Sequence, residues 1–143
     1  MNNKNKERRK RQILRRARQH NLLIPQKNTY EFSKLSPKLI EIISPSIAEE
    51  HDPLLLFLET QKQWTVLGST FVYSAYENAL VKARLSDIQG KVTMILPESV
   101  KESSHNSFKQ DLTFIFLDHA QVNIWAPQGS EYFGLVNILQ NIR

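Results

Sequence analysis

The sequence predicts an α+β fold, a small bent antiparallel sheet capped by a C-terminal helix and preceded by short helices. Three observations carry that expectation. Residues 64–88 (WTVLGSTFVYSAYENALVKARLSDI) divide into three short β-prone runs at Gly68-Ser69 and at Glu77-Asn78, residue types suited to tight turns. Three further runs of the same kind follow: KVTMIL after Gln89-Gly90, then LTFIFL and QVNIWA on either side of Asp118-His119-Ala120. The chain then closes with Tyr132, Leu135, Val136, Leu139 and Ile142 at helical spacing, an apolar stripe that has to pack on the sheet.

A chain of 143 residues, 41% apolar and 23% charged, is large enough to bury a core without covalent staples. It has no cysteine, which excludes disulfides and thiol catalysis and suits a reducing cytosol. The net charge of +5 is unevenly placed. Residues 1–20 hold nine of the 19 lysines and arginines and a single acid, Glu7, so the remainder is mildly acidic at −3. No apolar run reaches the roughly 18 residues that span a bilayer. Leu22, Leu23 and Ile24 are too few for a signal-peptide core, and a cytoplasmic protein is expected.

Residues 1–28 read as a basic, flexible arm and linker. Ile13, Leu14 and Ala17 make too narrow a stripe to fold a helix alone, and Pro25 ends the segment. Residues 29–60 read as short helices. The first starts at Ser36 as N-cap with Pro37 in the first helical position, and Leu39, Ile40, Ile42 and Ile43 give its apolar face. The second starts at Asp52-Pro53 and runs through LLLFLE, a run that also fits a buried strand because periodicity does not decide so short a segment. Residues 61–143 form the folded domain. In its third strand Val81, Ala83 and Leu85 alternate with Lys82, Arg84 and Ser86, which places two cations on the wet face. Residues 97–110 are polar and unpatterned, an exposed loop. Ser130 caps the last helix, Glu131 suits its positive end, and Gly134 permits a close backbone approach.

Trp64 near the first of these strands, a third strand ending in Leu85-Ser86-Asp87-Ile88, and a last helix opening with Tyr132-Phe133 resemble the bacterial pleckstrin-homology-like domains, related in shape to PH and GRAM domains. The resemblance covers about residues 60–143 and rests on strand order and apolar pattern. It implies a partly open barrel plugged at one end by the helix. Members usually have seven strands, and six are counted here; the seventh comes from within residues 112–126 or from 54–60. The resemblance implies a binding or scaffolding module and no enzyme. Its eukaryotic members often hold inositol phospholipids on basic residues of the first strands and the loop between them. Here that loop, Gly68-Ser69-Thr70, has no base, and the only basic pair of similar look, Lys82 and Arg84, lies on the third strand.

The residues themselves point to no catalytic chemistry. His20, His51, His105 and His119 have no metal-ligand spacing, the glycines are isolated, and no G-x-S-x-G elbow occurs. His51-Asp52 reads as the start of a helix and Asp118-His119 as a hairpin turn. Phe71, Tyr73, Phe114 and Phe116 stand at strand spacing, where a shared face is more often core than a base-stacking platform. No cofactor and no metal are expected. The candidate residues for an anionic ligand are Arg8, Arg9, Lys10, Arg11, Arg15, Arg16, Arg18, Lys82 and Arg84. The expected function is a non-enzymatic, PH-like interaction module whose partner is another protein, held along the sheet edge or the 97–110 loop. The alternatives are nucleic acid, or an anionic membrane surface, bound through residues 1–20.

Overall fold

In the computed structural model, which describes residues 3–23, 28–88, 91–94 and 114–142, the fold is α+β with two antiparallel sheets and no closed barrel. Helix α1 spans Asn3–Gln19, strand β1 Thr29–Glu31 and helix α2 Pro37–Ile43. Strands β2 (Pro53–Thr60), β3 (Gln63–Gly68), β4 (Phe71–Tyr76) and β5 (Ala79–Arg84) follow. A helical turn α3 (Leu85–Ile88), strands β6 (Val92–Met94), β7 (Phe114–Leu117) and β8 (Val122–Trp125), and helix α4 (Ser130–Gln140) complete the chain. The first sheet has the order β1-β2-β3-β4-β5 and the second β6-β7-β8.

The LLLFLE run is strand β2, not the second short helix expected, and it pairs with β1 on one side and β3 on the other. Its unbroken apolarity has a simple cause. Leu55 and Phe57 face one buried layer and Leu56 the opposite one, so the strand needs apolar side chains on both faces. With β2 in place, residues 54–60 supply a strand beyond the six counted, and β1 adds an eighth.

The three strands expected between residues 64 and 84 are β3, β4 and β5. Glu77 and Asn78 turn β4 into β5 with φ of 49° and 65°, the left-handed pair that matches the twist of a two-residue hairpin. Leu85-Ser86-Asp87-Ile88 does not prolong the third strand; it is α3, and Leu85 and Ile88 are buried beneath it. The expected faces of β5 hold, with Ala83 buried and Lys82 and Arg84 exposed. Asp118-His119-Ala120 lies in the hairpin turn between β7 and β8. Leu96, Leu112, the Gln89-Gly90 turn and the 97–110 loop lie outside the described residues.

The first sheet is covered on both faces. On one, Phe32, Ile43 and Ile47 pack over Leu56, Trp64, Val66, Phe71 and Tyr73. Ser36 caps α2 as expected, its Oγ accepting from the Leu39 amide at 3.3 Å, but only Ile43 of the predicted apolar face is fully buried. On the other face the second sheet, α1 and α4 cover Leu55, Phe57, Leu67, Val72 and Ala83. A closed ring of hydrogen bonds joins the two sheets. The Trp125 amide donates to Ser74 Oγ at 2.9 Å, Ser74 Oγ lies 2.9 Å from Thr65 Oγ1, and the Thr65 hydroxyl donates back to the Trp125 carbonyl. All three groups are buried, and each donor and acceptor in the ring is satisfied.

Helix α4 begins one residue earlier than expected. Gly129, at φ 83°, occupies the cap position, and Ser130 is the first helical residue. Tyr132, Leu135, Val136, Leu139 and Ile142 are buried as the stripe predicted, and the Tyr132 hydroxyl donates to the Phe114 carbonyl at 2.6 Å. Glu131 is buried too, accepting from the Thr29 hydroxyl of β1. Gly134 does permit a close approach, but to the end of the N-terminal segment. A Cβ there would lie 3.1 Å from Leu22 Cδ1 and 3.2 Å from His20 Cβ.

Candidate functional site

The nine candidate cations fall into three groups. Residues 3–19, expected as a flexible arm, form a helix docked on the body through Ile13 and Ala17, and Leu22 follows it into the core. The narrow stripe suffices because the helix does not stand alone; α4 and both sheets supply the rest of the apolar contact.

The first group is structural. Arg9 is 8% exposed, and its Nη1 donates to the Ser69 carbonyl at 3.0 Å. The β3–β4 turn that has no base in sequence therefore receives one in space. Opposite Arg9, the buried Glu50 carboxylate accepts from the amides of Thr70 at 3.0 Å, Phe71 at 2.7 Å and Asp52 at 3.0 Å. Gly68 is required there, because a Cβ at that position would overlap the Glu50 carboxylate. Burial lowers the Arg9 pKa from its ordinary value, and the negative charge of Glu50 opposes that shift. Lys10 pairs with Asp52 at 3.2 Å, and Arg16 donates to Asn137 of α4 at 3.3 Å. Arg9, Lys10 and Arg16 hold α1 in place, and Glu50 is the anion that accepts the amides of the turn.

The second group is Lys82 and Arg84. They project to the same side, as expected, but both lie over the Phe71 ring, 5.2 Å and 5.1 Å from its centroid. Lys82 also pairs with the exposed Glu49. Its hydrogen bond and charge hold the Glu49 carboxyl below the usual carboxylate range, while burial and the charges of Glu49 and Glu50 push the Tyr73 hydroxyl up. A depressed carboxyl contributes stability above its unfolded pKa and loses it as pH falls through the folded value. Lys82→Ala is therefore expected to move the Glu49 titration midpoint up toward the ordinary glutamate value. Carboxyl chemical shifts followed from pH 2 to 7 check this, and an unchanged midpoint would show that Lys82 does not hold Glu49 in solution.

The third group is Arg8, Arg11, Arg15 and Arg18. At about 100° per residue these positions fall within about 80° of helical arc and span about 15 Å along the axis. All four are exposed, and with Gln12 and Leu14 they line a groove of about 550 Å³. None of the four has an ion-pair or hydrogen-bond partner among the described residues. Neighbours three and four apart repel one another, and α1 has no acid in its first turn to meet the positive end of its dipole. This face is the least internally compensated set of charges among the described residues.

Among the described residues no three His, Asp or Glu side chains gather as a metal-ligand set, and no helix is long and apolar enough to cross a membrane. Phe71 and Tyr73 are buried, and Phe114 packs edge-on against Tyr76 at 4.9 Å. No protein-family model, curated protein or solved structure matches the chain.

Proposed function

We propose that the protein is a non-enzymatic, PH-like interaction module of the bacterial cytoplasm that holds an anionic partner on the exposed face of α1. The observation that carries this reading is the row Arg8, Arg11, Arg15 and Arg18 on a helix whose opposite face is locked into the core. A docked helix presents its cations in a fixed line, so a ligand meets them without the entropy of ordering a free arm. Antiparallel strands followed by a C-terminal helix support the PH-like reading of the body, and the route to the ligand differs from the one the resemblance implies. Arg9 fills the β3–β4 turn as a structural group, and Lys82 and Arg84 are engaged by Glu49 and Phe71.

Retention on immobilised heparin tests the reading. The intact protein is expected to bind, and the Arg8→Gln, Arg11→Gln, Arg15→Gln, Arg18→Gln variant to elute at much lower salt with a melting temperature within a few degrees of the parent, since exposed substitutions cost little. Equal retention of parent and variant would remove α1 as the binding face.

A second reading, a protein partner added as a strand, is favoured by the position of β5 at the end of its sheet. Leu80 there is 49% exposed beside a groove lined by Pro45, Ala48 and Tyr73. Loss of a protein partner in Leu80→Glu, with heparin retention intact, is the result expected of that reading.

A further inference from the structure

We infer that the arginine face of α1 seats on the phosphate backbone of a nucleic-acid duplex, without reading base sequence. The inference rests on the anionic-partner reading and names the partner's class. Three features of the helix favour a duplex over a lipid surface.

A helix that lies in a membrane interface inserts its apolar side and points its cations outward. Here the apolar side is committed to the core, with Ile13 1% and Ala17 0% exposed. The outward arc carries no Trp, Phe, Tyr or Ile, and its one aliphatic side chain, Leu14, is half-buried against the core. A bilayer therefore gains no insertion energy from α1. The second feature is shape. The four cations form a narrow line of about 15 Å on a cylinder about 10–12 Å across. A flat surface touches such a line along one edge, whereas a duplex offers about one phosphate charge per 1.7 Å of axis and so has several phosphates within reach of every arginine. The third is residue type. All four positions are arginine, whose planar fork donates two parallel hydrogen bonds to a phosphate and sheds water more readily than an ammonium.

The row has no acidic residue inside it and only Glu7 at its flank. Binding would relieve the mutual repulsion of the four cations. The acidic remainder of the chain limits the affinity and confines contact to this face.

Four phosphate contacts predict a slope of about −3 to −4 when the logarithm of affinity is plotted against the logarithm of salt. Fluorescence anisotropy of a labelled random-sequence 24-base-pair duplex, titrated with the full chain between 50 and 300 mM KCl, reads that slope. Arg11→Gln, Arg15→Gln is expected to bring it to about −2 and to weaken binding at least tenfold at the lowest salt. Arg11→Lys, Arg15→Lys should keep most of the slope, and Lys38→Gln, Lys62→Gln, on exposed lysines elsewhere, should leave it unchanged. Vesicles of phosphatidylcholine with 30% phosphatidylserine form the second arm. Vesicle binding without duplex binding, lost in Arg11→Gln, Arg15→Gln, would overturn the duplex inference and leave the anionic-partner reading standing. Duplex binding with the same slope in that variant would overturn the role of α1 and with it both readings.

Discussion

Glu50→Ala is expected to cost about 4 kcal/mol of folding stability. The buried carboxylate serves three backbone amides at the β3–β4 turn and stands opposite the buried guanidinium of Arg9. Its removal leaves donors without an acceptor, at about 1–3 kcal/mol for a group that cannot reach water. It also removes the negative charge that offsets the burial of the Arg9 guanidinium. The turn can relax and admit water, which brings the total below the sum. Urea unfolding checks this: the midpoint should fall sharply at nearly constant slope. A loss under about 1 kcal/mol would show that the turn holds its shape without the carboxylate.

Deletion of residues 1–20 is expected to lower the melting temperature by about 6–20 °C. Ile13 alone buries a side chain worth about 1.5–3 kcal/mol, and its loss bares the apolar surface of α4 and the sheets beneath it. Arg9 leaves with the helix, so the Ser69 carbonyl loses its donor and Glu50 its nearest buried countercharge. Together these amount to about 3–5 kcal/mol, and about 2–4 °C accompanies each kcal/mol in a domain of this size. Differential scanning calorimetry of the shortened chain decides the matter. An unchanged transition would restore the detachable arm that the charge pattern alone suggests.

That difference shows what was legible in the sequence. Strands β3 to β5, the β7–β8 hairpin and the Ser36 cap could be read from it, because turn chemistry and alternation of side chains are local properties. Strand β2 was ambiguous because a strand buried on both faces loses the alternation that identifies it, as Leu55, Leu56 and Phe57 show. The docking of α1 was hidden for another reason. Its buried face contains Arg9, and no local pattern says that one arginine in a run of bases will donate to a carbonyl 60 positions away. The 3–4–3 spacing of Arg8, Arg11, Arg15 and Arg18 was visible all along. What the sequence lacked was the side of the helix that faces water, and only Ile13 and Ala17, once placed against the core, select it. For the same reason Arg9, Lys10 and Arg16 were grouped with the exposed four, although they anchor the helix.

The contact between Arg16 and Asn137, 121 positions apart in the chain, has a consequence for biosynthesis. Helix α1 is made well before the helix it leans on. At about 5–20 residues per second, Arg16 is added roughly 6–24 s before Asn137. During that interval its stripe has nothing to pack on, and a basic segment this short is not expected to be a stable helix. The nascent protein thus passes through a stage in which all nine cations of residues 1–20 are accessible at once, beside a ribosome rich in RNA. Docking then withdraws Arg9, Lys10 and Arg16 from solvent contact or into pairing, and only the finished fold sorts the cations that hold the molecule together from those that face outward.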